Sequence, residues 1–163
     1  MEDSNPQQGG GAQQQATQAM NGLEGMLAPI FANLPHLPEN ARKVLVDVSP
    51  WIALIFGALG ILGLLGLGGL GMGVAFMAFG GFGTAMVIHI AISLASAVLL
   101  LMAYPGLKAK TKKGWNMAFY SEVVSTIGGV VGIALWGAGG IVGLVIGAVI
   151  GFYILFEIRS YYS

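Results

Sequence analysis

The sequence contains no cysteine, which excludes disulfides, thiolate metal sites and thiol nucleophiles. Charge is nearly as scarce: Lys, Arg, Asp and Glu make up 9% of the residues and cancel to a formal net charge of zero, against about 25% charged residues in soluble domains. No global field draws nucleic acid or an acidic substrate to such a chain. Catalytic patterns are missing as well. There is no HExxH helix, no phosphate-binding Gly-Lys-Ser loop after a strand and no paired aspartates, and the GxGxxG strings arise from glycine content alone. An enzyme is not expected, and neither is a cofactor or a metal.

Apolar sequence fills the space that charge leaves. The chain is 56% hydrophobic with a mean hydropathy of +0.80, a membrane composition. Val48 to Leu107 contains no Asp, Glu, Lys or Arg, and Gly114 to Phe156 contains only Glu122. A spanning helix needs about 20 apolar residues, so each run has room for two. The first span is expected from Trp51 to Leu70, with Ser49 as N-cap and Pro50 in the first turn. The second runs from Thr84 to Tyr104, where Pro105-Gly106 stops it; the third from Ala118 to Gly137; the fourth from Gly140 to Ile158. The Gly- and Phe-rich stretch from Val74 to Gly83 reads as an interfacial connection, not a fifth span. The fold class is all-α: a polytopic membrane protein with four transmembrane helices in two hairpins, over residues 50–163.

Four of the seven basic residues, Lys108, Lys110, Lys112 and Lys113, fall between the second and third spans. The positive-inside rule puts such a short basic loop in the cytoplasm, and four spans then bring both termini to the same side. Arg42, Lys43 and Arg159 join the lysines there, and Trp51, Tyr104, Trp115, Tyr120, Tyr153, Tyr161 and Tyr162 fall near that interface. Orientation is the simpler role for the lysines; recognition of an anionic lipid headgroup is the functional alternative. No nucleic-acid-binding motif accompanies them.

Ahead of the spans, residues 1–15 are polar and rich in Gln and Gly, the composition of a disordered tail, with no cleavable signal peptide. Over residues 16–49 apolar side chains recur at helical spacing: Met20, Leu23, Met26, Leu27, Ile30, Phe31 and Leu34, interrupted at Pro29, then Leu37, Ala41, Val44, Leu45 and Val48. These short amphipathic helices are expected to lie on the membrane or the bundle, with docking to a partner as the alternative.

Glycine occurs 27 times. Gly57, Gly60, Gly63, Gly66 and Gly69 are spaced by three and wrap around their helix, whereas Gly139, Gly143, Gly147 and Gly151 are spaced by four and drift by only about 40° per step. The second row reads as a packing face of the small-xxx-small kind, with Ser121, Ser125, Gly128, Gly129 and Gly132 as its complement within one chain, or with a second copy.

Intramembrane polar residues are few. Glu122 lies about one turn into the third span, with Lys112, Lys113 or a serine as its expected partner. His89, Ser93 and Ser96 share the second span, at a depth that separates His89 from Glu122. Glu157 and Arg159 close the fourth span and are expected to be solvated. The basic loop leading into "GWNMAFYSE" and the ending "GAVIGFYILFEIRSYYS" resemble small, uncharacterised bacterial polytopic membrane proteins, over roughly the last two spans. The resemblance implies a four-span fold in a bacterial inner membrane and brings no activity or site residue with it. The expected function is a structural or partner-binding membrane subunit, with a small self-associating channel or transporter as the alternative. The partners are then the lipid bilayer and another membrane protein or a second copy. A polar stripe continuous across a span would favour transport. Here Thr84, His89, Ser93 and Ser96 cover the outer half of the second span and Glu122, Ser125 and Thr126 the inner half of the third, so the path is thin.

Overall fold

Helix follows helix in the computed structural model, which describes residues 8–68, 81–137 and 139–163. The chain divides into two units, Met1–His36 and Leu37–Ser163. In the first, α1 spans Gln8–Ala32. Residues 8–15, which composition reads as tail, are therefore helical; residues 1–7 lie outside the described ones. Glutamine is a good helix former, and the helix continues past Pro29, whose carbonyl, one of the orphan acceptors of the last turn, takes a 2.8 Å bond from Asn33 Nδ2.

The second unit holds α2 (Glu39–Gly63, continued by a π-turn at Leu64–Gly68), α3 (Gly81–Lys108), α4 (Lys112–Trp136), α5 (Gly139–Ile158) and a final 3-10 turn, Arg159–Tyr161. The second unit begins at Leu37, and within it α2 starts at Glu39 and runs straight through Pro50. Proline lacks the N–H that the Val46 carbonyl would accept from. Ser49 Oγ donates to that carbonyl instead, at 3.0 Å, so Ser49 repairs a helix interior where an N-cap was expected. Pro105 likewise does not end α3, since the Ala109 N–H reaches the Pro105 carbonyl at 3.0 Å and the helix gains a further turn.

Three stretches among the described residues are long and apolar enough to cross a membrane: Glu39–Gly66, Thr84–Lys108 and Gly140–Tyr161. They belong to α2, α3 and α5. The α4 helix, carrying Asn116, Ser121, Glu122, Ser125 and Thr126, is not among them.

Consecutive helices of the unit pack on one another: α2 on α3, α3 on α4 and α4 on α5. Each pair is antiparallel. Gly57 and Gly60 of α2 meet Leu101 and Ala97 of α3, and at Gly57 a Cβ would stand 2.7 Å from Leu101 Cγ. The α3–α4 hairpin closes where Gly106 and Gly114 meet, backbone against backbone, so that neither position has room for a Cβ. Thr111 caps α4, its hydroxyl accepting from the Gly114 N–H at 3.3 Å. Further along the same pair, a Cβ at Gly128 would lie 3.0 Å from Ile92. At its far end α4 stops at Gly137, whose φ of 70° suits glycine.

The densest packing lies at the lysine-bearing end. Trp115 and Phe119 are fully buried and stack with ring centroids 5.4 Å apart, and Phe152 and Phe156 of α5 lie 5.8 and 6.0 Å from Phe119. Trp115 Nε1 donates to the Leu155 carbonyl at 2.7 Å, satisfying one of the orphan acceptors at the end of α5. Away from this cluster the outer faces are apolar and exposed, with Ile55, Leu59 and Leu62 on α2 and Val142, Val145 and Val149 on α5. Such surface is a liability in water and natural against lipid.

Candidate functional site

Within this chain the glycine row of α5 meets α4 at one end, Gly151. Nothing lies within 4 Å of a Cβ built at Gly143 or Gly147. The drift of a four-residue row explains this: over three steps it sweeps about 120°, so only its end at Gly151 faces α4. Gly139 is the first residue of α5. The close-packing positions of this helix pair are Gly151, which receives the Glu122 carboxylate, and Gly129 of α4, which receives Leu144.

Glu122 thus projects across the α4–α5 seam into space that a larger residue at 151 would fill. Two of its expected partners are engaged elsewhere. Lys112 Nζ sits 4.2 Å from the centre of the Trp115 ring, and the nearest serine on its own helix, Ser121, is bonded to α3. Among the described residues the Glu122 carboxylate has no hydrogen-bond or ion-pair partner. Its backbone carbonyl accepts from Thr126 Oγ1 at 2.8 Å, an ordinary bond back along the helix.

The carboxylate opens onto a cavity of about 560 Å³ between α2, α3, α4 and α5. The wall is mostly apolar, from Ile52, Phe56, Leu100 and Ile154 among others, and the polar atoms come from three helices: Ser49 of α2; His89, Ser93 and Ser96 of α3; Ser121, Glu122 and Ser125 of α4. All four intramembrane polar residues singled out from sequence, Glu122, His89, Ser93 and Ser96, line this one space. Their packing is specific. Ser96 Oγ donates to the Ser121 carbonyl at 3.0 Å and Ser121 Oγ to the Ser96 carbonyl at 2.9 Å, a reciprocal clasp of α3 to α4. His89 Nδ1 stands 3.0 Å from the Gly128 carbonyl, which can only accept, so Nδ1 carries the proton and Nε2 is the nitrogen left to bond elsewhere. Gly128 is six residues beyond Glu122, about 9 Å along α4, and His89 and Glu122 mark two levels of the cavity as their depths in sequence imply.

Ser49 is the lining residue that sequence reading assigned to another task. Its hydroxyl also meets Tyr162 Oη at 2.8 Å, and burial pushes the Tyr162 phenol above its ordinary pKa, against the opposing effect of the Ser49 bond. Nearby, Glu157 is buried, not solvated as expected. Its Oε2 accepts the Leu37 N–H at 3.0 Å, with Arg42 Nε 3.9 Å away. These contacts clasp the start of α2 to the end of α5.

The four loop lysines take no part in the cavity. Lys108 lies 5.9 Å over both Trp51 and Tyr104, Lys110 pairs with Asp47 at 3.2 Å, Lys112 covers Trp115, and Lys113 is exposed. Lys108, Lys110 and Lys112 thus rest on separate partners. Comparison with protein-family models, curated proteins and solved structures finds no match for this chain.

Proposed function

We propose that this chain is a four-span integral membrane protein whose bundle holds a solute-binding cavity within the membrane, which sets it in the channel or transporter class. One observation carries the reading: the Glu122 carboxylate faces a cavity of about 560 Å³ and has no hydrogen-bond or ion-pair partner among the described residues. An isolated charge at membrane depth is costly, and a scaffold gains nothing from it. A proton or a cationic solute offsets that cost. The serines and His89 supply further polar contacts, and the volume lies within the range of small-molecule sites.

The fourth span in this reading is α4. It packs antiparallel between α3 and α5 from Gly114 to Gly129, and its 25 residues make about 37 Å of helix, enough to cross alongside its neighbours. The contacts of Lys108, Lys110, Lys112, Arg42 and Arg159 gather at one end of the bundle, which supports a cytoplasmic position for that end and both termini. A bacterial inner membrane is the setting that the sequence resemblance implies.

The test is flux in proteoliposomes carrying a pH-sensitive dye, under an imposed proton gradient. Wild type is expected to dissipate the gradient faster than empty vesicles, and Glu122→Gln to lose that activity while melting as wild type does. Equal leak for wild type and empty vesicles returns the chain to the partner-binding subunit.

A further inference from the structure

The cavity is not closed all round. Ile52 and Phe56 line it, yet they are 42% and 63% exposed, so they stand at a mouth on the side of α2. Across that mouth the cavity wall is Gly151, Ile154 and Leu155 of α5. At the lysine-bearing end α2 and α5 are clasped through Leu37, Arg42 and Glu157, and through Ser49 and Tyr162. Phe56 lies five residues beyond Trp51, about 8 Å from the interface that Trp51 marks, so the mouth opens at membrane depth, toward acyl chains. What passes a mouth in that position must dissolve in lipid, and a solute that takes the place of a proton at Glu122, the one carboxylate among the described lining residues, must carry positive charge.

The geometry points to a lipophilic organic cation as the solute, a protonated amine or quaternary centre on a bulky apolar body, taken up from the inner leaflet between α2 and α5. This rests on the solute-binding reading and narrows it. The ammonium is held at Glu122, where Gly151 leaves room beside the carboxylate; the apolar body lies against Ile52, Phe56 and Ile154; and the serine hydroxyls take any polar substituent. A small hydrated cation fits poorly, because the wall offers too few oxygens to replace its water. An acidic or zwitterionic amphiphile would set its anion against Glu122.

The test uses two probes of matched size and shape with opposite charge, tetraphenylphosphonium and tetraphenylborate, binding to the full chain in nanodiscs, with empty nanodiscs subtracted. Wild type is expected to bind tetraphenylphosphonium at least tenfold more tightly than Glu122→Gln does, and to show no saturable site for tetraphenylborate. Because the natural chain has no cysteine, Phe56→Cys gives a single label. Tetraphenylphosphonium should slow its reaction with membrane-permeant N-ethylmaleimide, and the finished adduct should block binding. Equal binding of the phosphonium by wild type and Glu122→Gln overturns the inference, and so does an adduct at Phe56→Cys that leaves binding intact. If the phosphonium fails to bind while Glu122-dependent ion flux persists, the inference falls and the solute-binding reading stands. If both fail, both fall.

Discussion

Gly106 and Gly114 touch backbone to backbone across the turn that joins α3 to α4, closer than any side chain allows. That contact sets how tightly the α3–α4 hairpin closes, and the Thr111 cap and the Ser96–Ser121 clasp lie along the same seam. Gly114→Ala must push two helix backbones apart, an overpacking cost of about 1–3 kcal/mol or more. Thermal melting in detergent should show a clear loss. Gly147→Leu should melt close to wild type, because a side chain there enters open space.

Ser49 and Pro50 act as a pair. Ser49→Ala leaves the Val46 carbonyl without the donor that replaced the missing proline N–H, and removes the Tyr162 partner, a loss of about 1–2 kcal/mol. Pro50→Ala restores the backbone donor. In a double-mutant cycle the serine substitution should therefore cost less on the Pro50→Ala background than on the wild-type one.

The contrast between these sites and the sequence reading has a physical origin. Charge-free runs located α2, α3 and α5, the three described helices long and apolar enough to cross lipid, but α4, expected as a further span, does not meet that measure. Pro50 and Pro105 misled because proline signals a helix end only when nothing else repairs the backbone, and Ser49 does repair it. Spacing suggested a glycine seam on α5, but which part of a drifting row faces a neighbour depends on where α4 lies. Glu122, His89, Ser93 and Ser96 were legible as polar residues within long apolar runs. Their common cavity was not, since it depends on Lys112 turning to Trp115 and on Ser121 pairing with Ser96, both choices made by packing.

Lys110 adopts a left-handed backbone, φ 53°, in the α3–α4 turn. Its ion pair with Asp47 is exposed on both sides and contributes little. A β-branched residue suffers most from that conformation. Lys110→Val should lower stability by about 1–2 kcal/mol, while Lys110→Gly should hold or gain. Chemical denaturation of the pair of variants in mild detergent reads the difference.

Threading can be read with single cysteines, since the chain has none of its own. In the four-span arrangement Lys110→Cys is labelled by an impermeant maleimide only from the cytoplasmic side and Gly140→Cys only from the opposite side. Labelling of both from one side would mean that α4 does not cross.

The central claim is that Glu122 is an unpaired carboxyl group at membrane depth, reachable through an open cavity. The direct measurement is reaction of the folded protein in membranes with a lipophilic carbodiimide, located by peptide mass mapping. The account predicts one dominant adduct, on Glu122, absent in Glu122→Gln and slowed by tetraphenylphosphonium, with the buried and bonded Glu157 unmodified. An unreactive Glu122 in the folded protein that becomes reactive only after denaturation would show a closed, paired carboxyl group and contradict the account.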